Sequence, residues 1–115
     1  MRFVYPLATT LLTVFWLTIP VFAQSKSNPM ERIKTIQRLL STYECPNCDL
    51  SEADLSEADL SEANLSDTLL VGAKLNKADL TRAKLVRADL STANFSQVNM
   101  VDADLLRAIL YETDL

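Results

Sequence analysis

From Asp49 onward the chain repeats every five residues. The unit centres fall at 50, 55, 60 and so on to 115, and these fourteen positions hold twelve Leu, Phe95 and Met100. Two residues before each centre stands Ala at ten of fourteen positions, the exceptions being Cys48, Thr68, Val98 and Thr113. Between them lie mostly Asp or Asn, as at Asp49, Asp54, Asn64, Asp89 and Asp104. A period of five fits neither regular element. In an α-helix each step of five advances about 140°, so the leucines would spiral around the axis. In a flat strand, successive leucines would alternate faces. One arrangement buries them together. Ala and Leu both point inward along a short extended wall, the Asp or Asn between them points out, and the next two residues turn a corner. Each unit is then one side of a coil, and the coils stack.

The corners are pairs such as Ser51-Glu52, Ser56-Glu57, Thr81-Arg82 and Ser91-Thr92. The chain has a single Gly. Its scarcity at corners predicts turns that need no left-handed backbone.

The units Ala53-Asp54-Leu55-Ser56-Glu57 and Ala58-Asp59-Leu60-Ser61-Glu62 resemble the A(D/N)LxX unit of pentapeptide-repeat proteins, in one register over residues 48–115. That resemblance implies an all-β solenoid: a right-handed quadrilateral β-helix with four units per coil. Fourteen units then make about 3.5 coils, roughly 17 Å tall at strand spacing. Residues twenty apart should stack. Charge supports this register. Glu62 falls beneath Arg82 and Asp102, Glu57 beneath Lys77, and Asp67 beneath Arg87. Asp59 on Asp79 and Arg87 on Arg107 fit less well.

The first 44 residues are of another kind. Met1 and Arg2 precede an uncharged run over 3–23, with Leu11, Leu12, Val14, Phe15, Trp16, Leu17 and Ile19 at its centre. Pro20 and Val21-Phe22-Ala23 follow, the layout of a secretory signal cut after Ala23. An uncleaved anchor is the competing reading, since the run is long enough to span a bilayer. Residues 1–23 are therefore read as a signal peptide, 24–44 as linker and capping helix, and 45–115 as β-helix. With cleavage, no stable membrane insertion is expected. Asn28, Pro29 and Glu31 form a helix start. Met30, Ile33, Ile36, Leu40 and Tyr43 recur at helical steps, predicting an apolar face that covers the first coil, with a membrane-surface or partner-binding role as the alternative. The last coil has no such cover. Leu105, Leu110, Tyr111 and Leu115 there point to a homodimer through the C-terminal coil.

Cys45-Pro46-Asn47-Cys48 is the one reactive-looking motif. In an exported chain a structural disulfide is the default. Free core thiols and redox chemistry are the alternatives. Cys48 falls at an inward Ala position. Leu69 and Val71 should point outward on the side where Ile109 and Tyr111 also do, with Asp89 and Ser91 between. These four form a candidate partner patch.

Composition narrows the chemistry. The chain has 115 residues, no His, 11 Lys+Arg and 15 Asp+Glu, a formal charge of -4. Histidine-based catalysis and histidine metal sites are excluded. Gly-rich phosphate loops are excluded too. An acidic chain is a poor ligand for nucleic acid. The corner Ser residues lack a base. No enzyme, no cofactor and no nucleic-acid partner are expected. The reading is an exported scaffold that binds an unknown protein, in a periplasm, a thylakoid lumen or outside the cell. That address rests on the resemblance, because exported members are common in cyanobacteria and related ones occur in the chloroplast lumen. A second branch of the family mimics DNA and acts on gyrase. The basic belt of Lys74, Lys77, Arg82, Lys84 and Arg87 argues against that alternative.

Overall fold

The computed structural model describes residues 28–115. The signal segment expected at 1–23 lies outside them. The repeat closes every twenty residues. Parallel bridges join Asp49 to Leu69, Leu69 to Asp89 and Asp89 to Ile109, and equivalent columns run from Glu44 to Asn64, Lys84 and Asp104. Each wall is too short for an extended strand, so it pairs through single bridges. The backbone bonds run up and down each column. Leu50 N–H donates to Leu69 O at 2.8 Å, and Leu69 N–H to Cys48 O at 2.9 Å.

The shaft is filled as the period demands. Leu50, Leu60, Leu65, Leu70, Leu75, Leu80, Leu85 and Leu90 are fully buried, with Ala63, Ala73, Ala83, Ala88 and Ala93 beside them. Burial of each such Leu contributes about 1.5–3 kcal/mol, against the entropy of ordering the chain. Two deviant units have a polar reason. Thr68 Oγ1 donates to Cys45 O at 2.9 Å, and Thr113 Oγ1 to Leu90 O at 2.8 Å. In each, a hydroxyl at the Ala position reaches a carbonyl of the coil below.

The corners differ from expectation. Each turn carries a positive φ at its second corner residue, between 52° at Glu112 and 67° at Gly72. Only Gly72 among these is glycine. The turn closes with Ala53 N–H on Leu50 O at 3.0 Å, and likewise along the chain, which is the geometry of a type II turn. Left-handed backbone is thus required, without glycine to supply it. Two sets of bonds offset the strain. The strained residue donates to the next coil, as Glu52 N–H does to Val71 O at 2.8 Å. The Asp or Asn before the central Leu accepts from the first corner N–H, as Asp49 Oδ1 does from Ser51 at 3.0 Å. The same bond recurs at Asp54, Asp59, Asn64, Asp79, Asp89, Asn94, Asn99 and Asp104. This Asx turn explains the residue type better than outward placement alone. Thr92 is the worst fit, a β-branched residue at φ 57°. Thr92→Asn should therefore gain about 1 kcal/mol, read as a melting midpoint raised by several degrees.

Helix α1 spans Pro29–Thr42. Asn28 Oδ1 accepts from Glu31 N–H at 2.7 Å, and Tyr43, at φ 57°, ends the helix by donating its N–H to Leu39 O. The buried face is not the expected one. Leu39 is buried and Ile36 packs against the core, whereas Met30, Ile33, Leu40 and Tyr43 are exposed. Only one edge of the apolar arc of α1 packs against the core. Arg32, one helical step from Ile36, turns inward with them, and its Nε is buried without a partner among the described residues.

Candidate functional site

The outer wall carries the patch residues as Leu69, Val71, Ile109 and Tyr111. Leu69 is 47% exposed, Ile109 52% and Tyr111 66%, while Val71 is half-buried. Leu69 and Ile109 share a column with Asp89 between them, so they lie about 10 Å apart, twice the strand spacing. Ser91 donates both N–H and Oγ to Asp89 Oδ1, at 3.0 and 2.6 Å. The carboxylate is thereby turned to its own corner. The structure brings the two apolar pairs onto one wall but leaves a polar step between them.

Sequence reasoning passed over Val101 and Leu106, both exposed corner residues. Their signal was visible, because that corner position is otherwise mostly Ser or Thr. With Ile109, Leu110, Tyr111 and Leu115 they make residues 100–115 the most apolar stretch of exposed surface on the solenoid. Met100, Leu105 and Ala108 are only partly buried, against the fully enclosed leucines below.

Charge is paired along the columns. Lys77 meets Glu57 at 3.7 Å, Arg82 meets Glu62 at 3.1 Å and Arg87 meets Asp67 at 2.6 Å. The basic belt thus sits on an acidic first coil and is partly neutralised by it. Arg87 donates both Nε and Nη2 to Asp67, a bidentate pair. Hydrogen bonding and then charge from Arg87 hold the Asp67 carboxyl below the usual range, and bonds from the Ser61 hydroxyl and N–H do the same for Asp59. A carboxylate with a depressed folded pKa adds stability above its unfolded value, near 3.9, and loses it as pH falls through the folded value. Acid titration should therefore lower the melting midpoint below about pH 4. Asp67→Asn should flatten that fall while leaving a lower midpoint at neutral pH.

The cysteines form a disulfide, with Cα atoms 5.5 Å apart. Cys48 occupies an inward Ala position, as the register implied. The motif did not fix the register of Cys45. This residue takes an inward Leu position, is fully buried, and donates its N–H to Asn64 O at 3.0 Å as each central Leu does in its column. The bridge therefore spans a corner within the shaft, beneath Thr68. For so short a loop its removal should cost about 2 kcal/mol. Melting with and without a phosphine reductant should show a lower midpoint and a retained β-helix signal.

Short parallel walls, tight corners and closure every twenty residues around an aliphatic shaft define a β-solenoid of five-residue repeats. The family of pentapeptide repeats matches residues 48–85 and 88–115 in eight copies, and the chain belongs to that family. Its members form right-handed β-helices and are generally non-enzymatic structural proteins. Among solved structures the chain is similar to HetL, a pentapeptide repeat protein involved in heterocyst differentiation regulation in the cyanobacterium Nostoc sp. Strain PCC 7120. Identity there is 34%, over 63% of this chain and 36% of HetL, with a TM-score of 0.38. The chain thus spans about a third of HetL's length. A second pentapeptide repeat protein of Nostoc PCC 7120 shows 27% identity, over 68% of this chain and 74% of that one, with a TM-score of 0.40. A pentapeptide repeat protein from the Arabidopsis thaliana thylakoid lumen shows 24% identity, over 76% and 68%, with a TM-score of 0.30. No match is found among curated proteins.

Proposed function

We propose that this chain is an exported, non-catalytic scaffold that holds a protein partner on its outer wall. The observation that carries the reading is the exposure of Leu69, Ile109 and Tyr111 on one wall, among Asp49, Ser51, Asp89 and Ser91. Exposed apolar residues gathered on a rigid face favour protein contact over solvation. The rigidity comes from the stacked ladder, so a partner meets a preformed surface. Leu69→Asp with Ile109→Asp should abolish capture of partners from an extract of the native host, without changing the melting midpoint. Undiminished capture would end the idea.

In this reading α1 is the lid of the first of about 3.5 coils, because Leu39 and Ile36 lie against the shaft. Export rests on the segment 1–23, and the N-terminus of the exported protein should be Gln24. The apolar surface of residues 100–115 receives a second copy, giving a homodimer. Residues 96–115 hold four acidic residues and one basic residue. Such a pairing would therefore tighten with salt, and sedimentation of a monomer at all salt levels would exclude it. The basic belt favours the scaffold over a DNA mimic, and a gyrase supercoiling assay separates the two.

A further inference from the structure

Helix α1 has an apolar stripe that the solenoid does not use. Met30 is 62% exposed, Ile33 51% and Leu40 43%. At about 100° per residue these three fall within roughly 80° of arc, which the exposed Gln37 shares between Ile33 and Met30. On one flank Ile36 and Leu39 enter the shaft. On the other flank come Lys34 and Arg38, both exposed, with Lys34 also paired to Glu31 at 3.3 Å. An amphipathic helix with an open apolar stripe and basic neighbours has the form of an interfacial helix. At 14 residues it is too short to cross a bilayer.

Two further observations choose the occupant. Residues 24–44 hold four basic and two acidic residues, whereas 45–115 hold six basic and thirteen acidic. Lys26 lies outside the described residues and Arg32 turns inward, so the helix end is the less acidic pole, with Lys34 and Arg38 its exposed cations, and the solenoid is the negative one. An anionic surface attracts the first and repels the second, which orients the stripe toward it. The same charges oppose pairing of two α1 stripes, which would bring Lys34 and Arg38 of both copies together. In addition, the uncharged segment 3–23 ends five residues before the helix, which on the export reading above, on which this point rests, places α1 within reach of a bilayer.

The geometry points to reversible docking of α1 on an anionic lipid surface, with Met30, Ile33 and Leu40 in the headgroup region and Lys34 and Arg38 on lipid phosphates. This inference is independent of any partner on the wall. It concerns association with the surface and not insertion.

The test uses the protein recovered after export from an export-competent host, its N-terminus fixed by mass spectrometry. Flotation is measured with vesicles of phosphatidylcholine alone and with vesicles of phosphatidylcholine and phosphatidylglycerol in equal parts. The wild type should float with the anionic vesicles only, and less at raised salt. Lys34→Glu with Arg38→Glu should weaken partition about tenfold or more. Ile33→Gln with Leu40→Gln should weaken it comparably, and Gln preserves helix propensity. Circular dichroism confirms that both variants stay folded. Any of the following results would overturn the inference. One is no flotation with anionic vesicles. Another is equal flotation with neutral vesicles, or flotation unchanged in both variants, as a retained 1–23 segment would give. The last is a dimer in lipid-free solution that Ile33→Gln dissociates.

Discussion

Leu70→Ala should destabilise the protein by about 3–5 kcal/mol, enough to unfold it at moderate temperature. Leu70 is fully buried between Leu50 below and Leu90 above, and both of those are also enclosed. The cost of such a truncation depends on how far the site can collapse. Here collapse is blocked. Leu70 N–H donates to Asp89 O at 2.7 Å, and Leu50 N–H to Leu69 O at 2.8 Å. These bonds fix the spacing of the three coils, so the missing methyl groups leave a void. Leu110→Ala is the control. Leu110 lies in the same column but is 41% exposed, and its truncation should cost about 1 kcal/mol or less. Urea midpoints for the two variants should differ several-fold in their shift from wild type. Equal shifts would contradict a shaft filled from one end to the other.

The second large effect comes from adding volume. Ala63, Ala83 and Ala103 lie one above another, held by Lys84 N–H on Ala63 O at 2.8 Å and Asp104 N–H on Ala83 O at 2.9 Å. Ala keeps the wall close while Leu fills the centre. Ala83→Leu should cost about 3 kcal/mol, at the upper end for overpacking, since the coils above and below cannot part without losing their bonds. Val98 shows the contrast. It holds the same kind of position in the less enclosed final coils and is only partly buried. Ala103→Leu should accordingly be better tolerated than Ala83→Leu by the same urea measurement.

The coil geometry was legible because two independent patterns carry it. The five-residue period sets which side chains are inward, and the charge match at twenty sets which units stack. Asp67 with Arg87 and Glu62 with Arg82 pair as that register requires. Three other features were not legible, each for a physical reason. The left-handed corners were missed because their strain is offset by ladder bonds between coils and by the Asx turn. Neither compensation depends on the corner residue's own side chain, so no glycine marks the position. The face of α1 was misjudged because helical spacing identifies an apolar arc but not which edge of it the neighbour covers. Leu39, at one margin of that arc, is the enclosed residue. The register of Cys45 was not legible because Cys stands there where a Leu belongs. Its register is set by the bridge from Glu44 to Asn64.

The patch was readable only residue by residue. Alternation predicts that Leu69 and Ile109 face out, and they do. It does not predict that Asp89 will spend its carboxylate on Ser91, which reduces the barrier between the two apolar pairs.

The twenty-residue closure also governs how such a chain can change its length. Loss or gain of one unit would rotate every later unit by a quarter turn. Arg82 would then no longer meet Glu62, and Thr68 would no longer face the carbonyl of Cys45. Loss or gain of a whole storey would leave each vertical neighbour in kind. Descendants of this gene should therefore differ in length by multiples of twenty residues far more often than by five, and any exception should carry rewritten charges on one side of the break.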